Sequence, residues 1–194
     1  MRSTKWLRLS LVLLFAMLAC RPASAETYDS FSVGKLSGKL VVQWIEPDKF
    51  IFLPDKDVPL TFVRSNGDKI VPGRMITDGG SIPRPLWILR SYSPWGYAPA
   101  FIIHDWLFAM KQCRIEGYAR YDHEKAATVL AEVMKTMMEM KKVETDKLTL
   151  LSMFAAVNSS IAEDLWNSSP CLPVPAGPRE QKPIAEFELS LIHI

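Results

Sequence analysis

The chain has 194 residues, 48% hydrophobic and 23% charged, with 23 Lys and Arg against 21 Asp and Glu for a formal charge of +2. That length suits one domain with a sizeable core and is short for two. A charge so near neutral leaves no basic footprint for nucleic acid or an anionic membrane.

The N-terminus reads as a leader. Arg2, Lys5 and Arg8 precede the apolar run LVLLFAML, and ASA at Ala23 to Ala25 fits a small-residue cleavage site. These features predict a signal peptide over residues 1–25 and an exported protein, periplasmic or secreted. The run is too short and wrongly flanked for a membrane span, and no other run reaches the roughly 18 residues a membrane helix needs. Met17 and Leu18 make a poor lipid-attachment box ahead of Cys20, so a lipoprotein is the lesser alternative. Removing residues 1–25 lowers the basic count from 23 to 19 and keeps all 21 acids, so the remaining chain is near −2. Two cysteines remain, Cys113 and Cys171. In an exported chain they suit a disulfide tying the C-terminal tail to the middle of the domain, with two separate thiols as the alternative. No CxxC or Cys/His zinc spacing is present.

From Phe31 to about Met75 the pattern is that of strands. KLVVQWI alternates, KFIFL and PLTFVRS are short apolar runs, and Asn66-Gly67 between two runs is a hairpin signal. A small, mostly antiparallel sheet is expected. After Pro99 the period becomes helical. APAFIIHDWLFAMK fits one helix and DHEKAATVLAEVMKTMMEMKK a second. In the second helix Ala126, Val129, Leu130, Val133, Met134 and Met137 form a buried stripe. ETDKLTLLSMFAAVNSSIAEDLW fits a third. The expected architecture is α+β: an N-terminal antiparallel β region, then two to three packed helices, with the His-Asp helix antiparallel to the next. The domain would span residues 26–166, and residues 167–194 would form a proline-rich tail ending in FELSLIHI, which shows no strong pattern.

His104 and Asp105 stand inside the apolar run AFIIHDWLF. A charged carboxylate there costs several kcal/mol unless paired or metal-bound. Adjacent helical residues point about 100° apart, so each member of the pair is expected to need its own partner. Asp122 opens the next helix and could orient the imidazole, making His104 a general base. Asp78 heads the Gly79-Gly80 turn, whose carbonyls could join Asp105 in an oxygen-rich site suited to calcium. The bland alternative uses the same residues. Asp78 would cap a turn, Asp105 would pair with Arg84, Arg114 or Arg120, and Asp122 would be only an N-cap, with Lys125 and Glu132 on a solvated face.

The order TDGGSIPR, then YAPAFIIHDWLF, then ARYDHEKAATVLAEVM resembles a family of small phage and bacterial proteins of unknown function. Its pattern is T-D-x-x-S-x-P-R, H-D-x-L-aromatic and R-x-x-D, and the likeness covers about residues 30–160. More distantly, the loop and the His-Asp helix resemble secretory phospholipases of the A-two type. That likeness implies His104 as the base that activates water and Asp122 as the acid that holds it. It also implies Asp105, Asp78, Gly79 and Gly80 around calcium, and a phospholipid or membrane surface as partner. Trp95, Tyr97 and Trp106 are the candidate substrate-binding residues, and Tyr92, Trp95 and Tyr97 would form an exposed binding lip, an active-site lid or merely the cover of the core. The chain departs from those enzymes in having Ile103 and Leu107 where they have cysteines, and in its long β region. The rival reading is a non-enzymatic, phage-derived envelope or virion-associated domain in which the Asp/His cluster is a structural clip.

Overall fold

Gly38 is where the chain changes sheets. It joins strand β1 (Lys35–Ser37) to β2 (Lys39–Glu46) with φ of +105°, and a Cβ there would lie 2.2 Å from the carbonyl oxygen of Pro59. Only glycine avoids both the left-handed strain and that collision. Gly38→Ala is therefore expected to cost at least the roughly 1–3 kcal/mol of a strained backbone site. A urea titration reads this directly, and an unchanged midpoint would show that the crossing can relax.

The computed structural model of the chain describes residues 26–46, 49–78, 96–172, 174 and 186–190. The expected leader lies outside them. After β2 come β3 (Lys49–Leu53), β4 (Thr61–Val63), β5 (Lys69–Ile70) and β6 (Met75–Thr77), and near the C-terminus β7 (Glu186–Ser190). They form two antiparallel sheets, ordered β1-β4-β5 and β6-β3-β2-β7. β4 and β5 pair through the Asn66-Gly67 turn, where Gly67 takes φ of +86°. Alternation in β2 puts Leu40 and Val42 in the core, with Val42 opposite Phe52 of β3.

Four helices follow: α1 (Ala98–Cys113), α2 (His123–Glu139), α3 (Lys147–Val157) and α4 (Ser160–Ser168). The fold is thus α+β, with a β region followed by packed helices. One helix was expected over the last two. Ser159 divides it, because its side chain accepts from the amide of Ala162 and starts α4 as an N-cap. Helix α2 is the centre of the molecule. Every residue of its expected stripe is buried, and so are Glu132, Lys135 and Thr136 on its other side. Lys135 Nζ donates to the carbonyls of Tyr28 (3.1 Å) and Phe31 (2.8 Å), and Thr136 Oγ1 accepts from the amide of Gly34 (2.9 Å). Glu132 receives two bonds from Arg64, at 2.7 and 3.0 Å. The expectation of a solvated face at Glu132 is corrected by these partners: β1, β4 and the N-terminal segment cover that side. Tyr28, whose hydroxyl donates to Glu139 at 2.8 Å, has its phenol pushed up to about 12 by burial and by that carboxylate. The C-terminal residues also differ from expectation, since β7 joins the sheet on β2.

Candidate functional site

The site lies where β6 ends beside the first turns of α1. Pro99 in the first turn suits a helix start, where an amide has no acceptor in any case. Phe101, Ile102, Ile103, Leu107 and Met110 then bury the helix, and they carry His104 inward with them. His104 is 7% exposed. Its Nδ1 stands 3.7 Å from Asp105 Oδ1, an electrostatic contact longer than a hydrogen bond. The other carboxylate oxygen, Oδ2, accepts from Thr77 Oγ1 at 2.5 Å. Adjacent helical residues thus serve each other here, against the expectation from their angular separation. The Thr77 hydroxyl, coming from β6, holds the carboxylate turned toward the ring.

Burial is the largest influence on Asp105 and pushes its carboxyl up; the neighbouring charge of Asp78 adds to this, while His104 and Thr77 oppose it. Nδ1 faces the carboxylate, and Nε2 is the ring's other nitrogen. That atom is buried and has no hydrogen-bond partner among the described residues. An unsatisfied buried polar atom costs about 1–3 kcal/mol, which is why such atoms point to a use.

Asp78, His104, Asp105 and Thr77 are therefore one cluster, with Asp78 on the exposed side. Asp122 is outside it. Its side chain caps α2 by accepting from the Lys125 amide (2.8 Å), pairs with Lys125 Nζ (3.2 Å) and is 60% exposed. These bonds hold its carboxyl below the usual range, the Lys125 amide contributing most, and it makes no hydrogen bond to His104. The carboxylate beside the imidazole is that of Asp105, at 3.7 Å, and not that of Asp122. Tyr97 is buried at the start of α1 rather than forming an exposed lip, and burial pushes its phenol up to about 12. Trp106 is half-buried over Gly73, where a Cβ would come within 2.6 Å of its ring. Gly79, Gly80, Arg84, Tyr92 and Trp95 lie outside the described residues. Among the alternatives for Asp105, Arg120 pairs with Asp68 at 3.4 Å. Cys113 and Cys171 are joined in a disulfide.

Among the described residues, no group of three or more His, Cys, Asp or Glu side chains is placed to hold a metal ion. Nor is any helix among them long and apolar enough to cross a membrane.

A family model described as a protein of unknown function (DUF1353) matches residues 58–157, more than half of the chain. The chain belongs to the DUF1353 family. Thr77, Asp78, His104 and Asp105 all fall within the matched segment, whereas β1 to β3, α4 and Cys171 fall outside it. Comparison with the curated proteins and with the solved structures gives no significant match. Thr77 was the residue hardest to find in advance. It stands in the T-D motif, but nothing local marks its hydroxyl as the donor to a carboxylate 28 residues away.

Proposed function

We propose that this DUF1353 member is an exported, hydrolase-like protein in which His104 acts as general base and Asp105 positions it. The observation that carries this reading is the buried, unpartnered Nε2 on a ring whose other nitrogen faces a tethered carboxylate. In such an arrangement Nε2 takes a proton from water as the oxygen attacks an acyl carbon, the Asp105 carboxylate stabilises the imidazolium that results, and the imidazolium returns the proton to the departing alcohol as the acyl–oxygen bond breaks. Export is supported by the leader pattern and by the disulfide, a bond typical of oxidising compartments. An ester of a lipid is the substrate class that the phospholipase resemblance suggests.

Calcium was part of that resemblance. The described donor set suits it poorly, because one oxygen of Asp105 accepts from a hydroxyl and the other faces Nδ1. A second reading is favoured by the 2.5 Å Thr77–Asp105 bond, which ties β6 to α1 and would serve equally as a structural clip in a phage-derived envelope or virion-associated domain.

The test is hydrolysis of short-chain nitrophenyl esters and of phosphatidylglycerol vesicles by the purified chain, with calcium or with chelator. Turnover that disappears in step with carboethoxylation of His104 is the expected result. Calcium dependence of that turnover would return the metal to the site. No turnover on either substrate, in calcium or chelator, would overturn the hydrolase in favour of the clip.

A further inference from the structure

We infer that helix α4 is a disulfide-fastened cover on the His104 site, with Trp166 as the residue that positions the imidazole through Phe108. Among the residues of α4, Trp166 alone is buried, while Ile161 and Leu165 on the same short helix are exposed. A helix of nine residues is not stable in isolation, so its attachment determines whether it is present at all. Two attachments are visible. The Trp166 ring meets Phe108 edge-on, with centroids 4.8 Å apart and planes at 88°. Just past α4, Cys171 is bonded to Cys113, the last residue of α1.

Both attachments are made to the helix that carries His104. Phe108 lies one turn after His104 on α1, and the two rings are 4.9 Å apart at 45°. The order of contact is therefore Trp166, Phe108, His104. Trp166 holds Phe108 against the imidazole, which limits the ring to the rotamer that turns Nδ1 to Asp105 and screens Nε2 from bulk solvent. The disulfide keeps α4 at high local concentration over this stack. The DUF1353 match ends at residue 157, before α4 begins, so the cover is added to the segment that holds the site.

The inference concerns the placement of His104 and does not require hydrolysis, so its test reads access rather than turnover. Diethylpyrocarbonate acylates neutral imidazoles, and peptide mass spectrometry separates His104 from His123. His123 is buried, with Nε2 2.8 Å from the Val157 carbonyl, and serves as the internal reference. In the purified full chain, Trp166→Ala is expected to raise the modification rate of His104 by at least about tenfold, with His123 unchanged. Trp166→Phe, which keeps an aromatic edge on Phe108, should restore the slow rate. Reduction of the wild-type disulfide with a dithiol covers the case in which Trp166→Ala fails to fold, and should accelerate His104 selectively. An unchanged His104 rate would overturn the inference. So would a rise shared equally by His123, which would show general loosening instead of an opened cover.

Discussion

His104→Ala is expected to lower turnover by roughly 10²–10⁴-fold, the usual contribution of a positioned general base, while leaving the fold intact. The fold should survive because Nε2 satisfies no partner among the described residues, and its removal relieves a buried polar atom. Asp105→Asn should also lower turnover, since an amide cannot stabilise the imidazolium, but its stability should move the other way. The Asp105 carboxyl is raised in the folded chain by burial, with Asp78 adding and His104 and Thr77 opposing. A carboxyl raised on folding binds its proton more tightly in the native state. Stability therefore falls as pH climbs from the ordinary carboxylate value through the raised one, and stays lower above it. Asparagine has no such titration and can still accept from Thr77. Asp105→Asn should accordingly be more stable than wild type at neutral pH, with the advantage vanishing below pH about 4. Urea midpoints across that range measure it. A variant less stable than wild type at pH 7 would mean that the carboxylate's contacts outweigh its burial.

Arg64→Ala is expected to destabilise the chain by about 3–5 kcal/mol, the range for breaking a buried ion pair from one side. Glu132 has a side chain only 6% exposed and receives both of its charged hydrogen bonds from Arg64. Without the guanidinium the carboxylate that α2 carries is left buried without its two donors. Arg64→Lys should fall between, because an ammonium keeps the charge but not the paired geometry. Replacing both partners by apolar side chains of similar volume should recover much of the loss, since the pair itself adds little beyond an apolar contact. A double variant as unstable as Arg64→Ala would instead show that the hairpin of β4 and β5 depends on the ion pair for its docking. Asp68, which accepts from Tyr121 at 2.6 Å, would then be a second tether too weak to hold it alone.

Much of this architecture was legible from local pattern. Alternation located β2, the Asn66-Gly67 pair located the hairpin, and three- and four-residue spacing located α1 and the stripe of α2. What local pattern carries is one face of an element. The other face of α2 was hidden, because Glu132, Lys135 and Thr136 have the polar character of a surface and are buried only through partners far away in sequence. The same limit applies to β7, whose register is supplied by β2 rather than by its own residues. At the site, the isolated His-Asp pair in an apolar run was a sound signal that those side chains are costly and partnered. Which partners they have depended on rotamers and on a strand end, so Thr77 was missed and Asp122 was over-read. Trp166 had no signal at all, since its importance comes from the ring it touches.

The pairing of β7 with β2 bears on how the protein can be handled. β7 occupies one margin of its sheet, with Leu40 opposite Leu189 and Val42 opposite Phe187 along the ladder. Between Cys171 and Glu186 the chain carries four prolines and no paired strand among its described residues. A cut in that stretch would separate β7 from the disulfide-fastened part of the chain, and among the described residues its five-residue ladder on β2 is what would join it. Once β7 is lost, the amides and carbonyls of β2 become an open template, and its Val41-Val42 stretch is the kind of edge that recruits a second molecule. Preparations trimmed near residue 180 should therefore precipitate or form mixed oligomers while their helices remain folded, and an affinity tag is better placed away from the C-terminus.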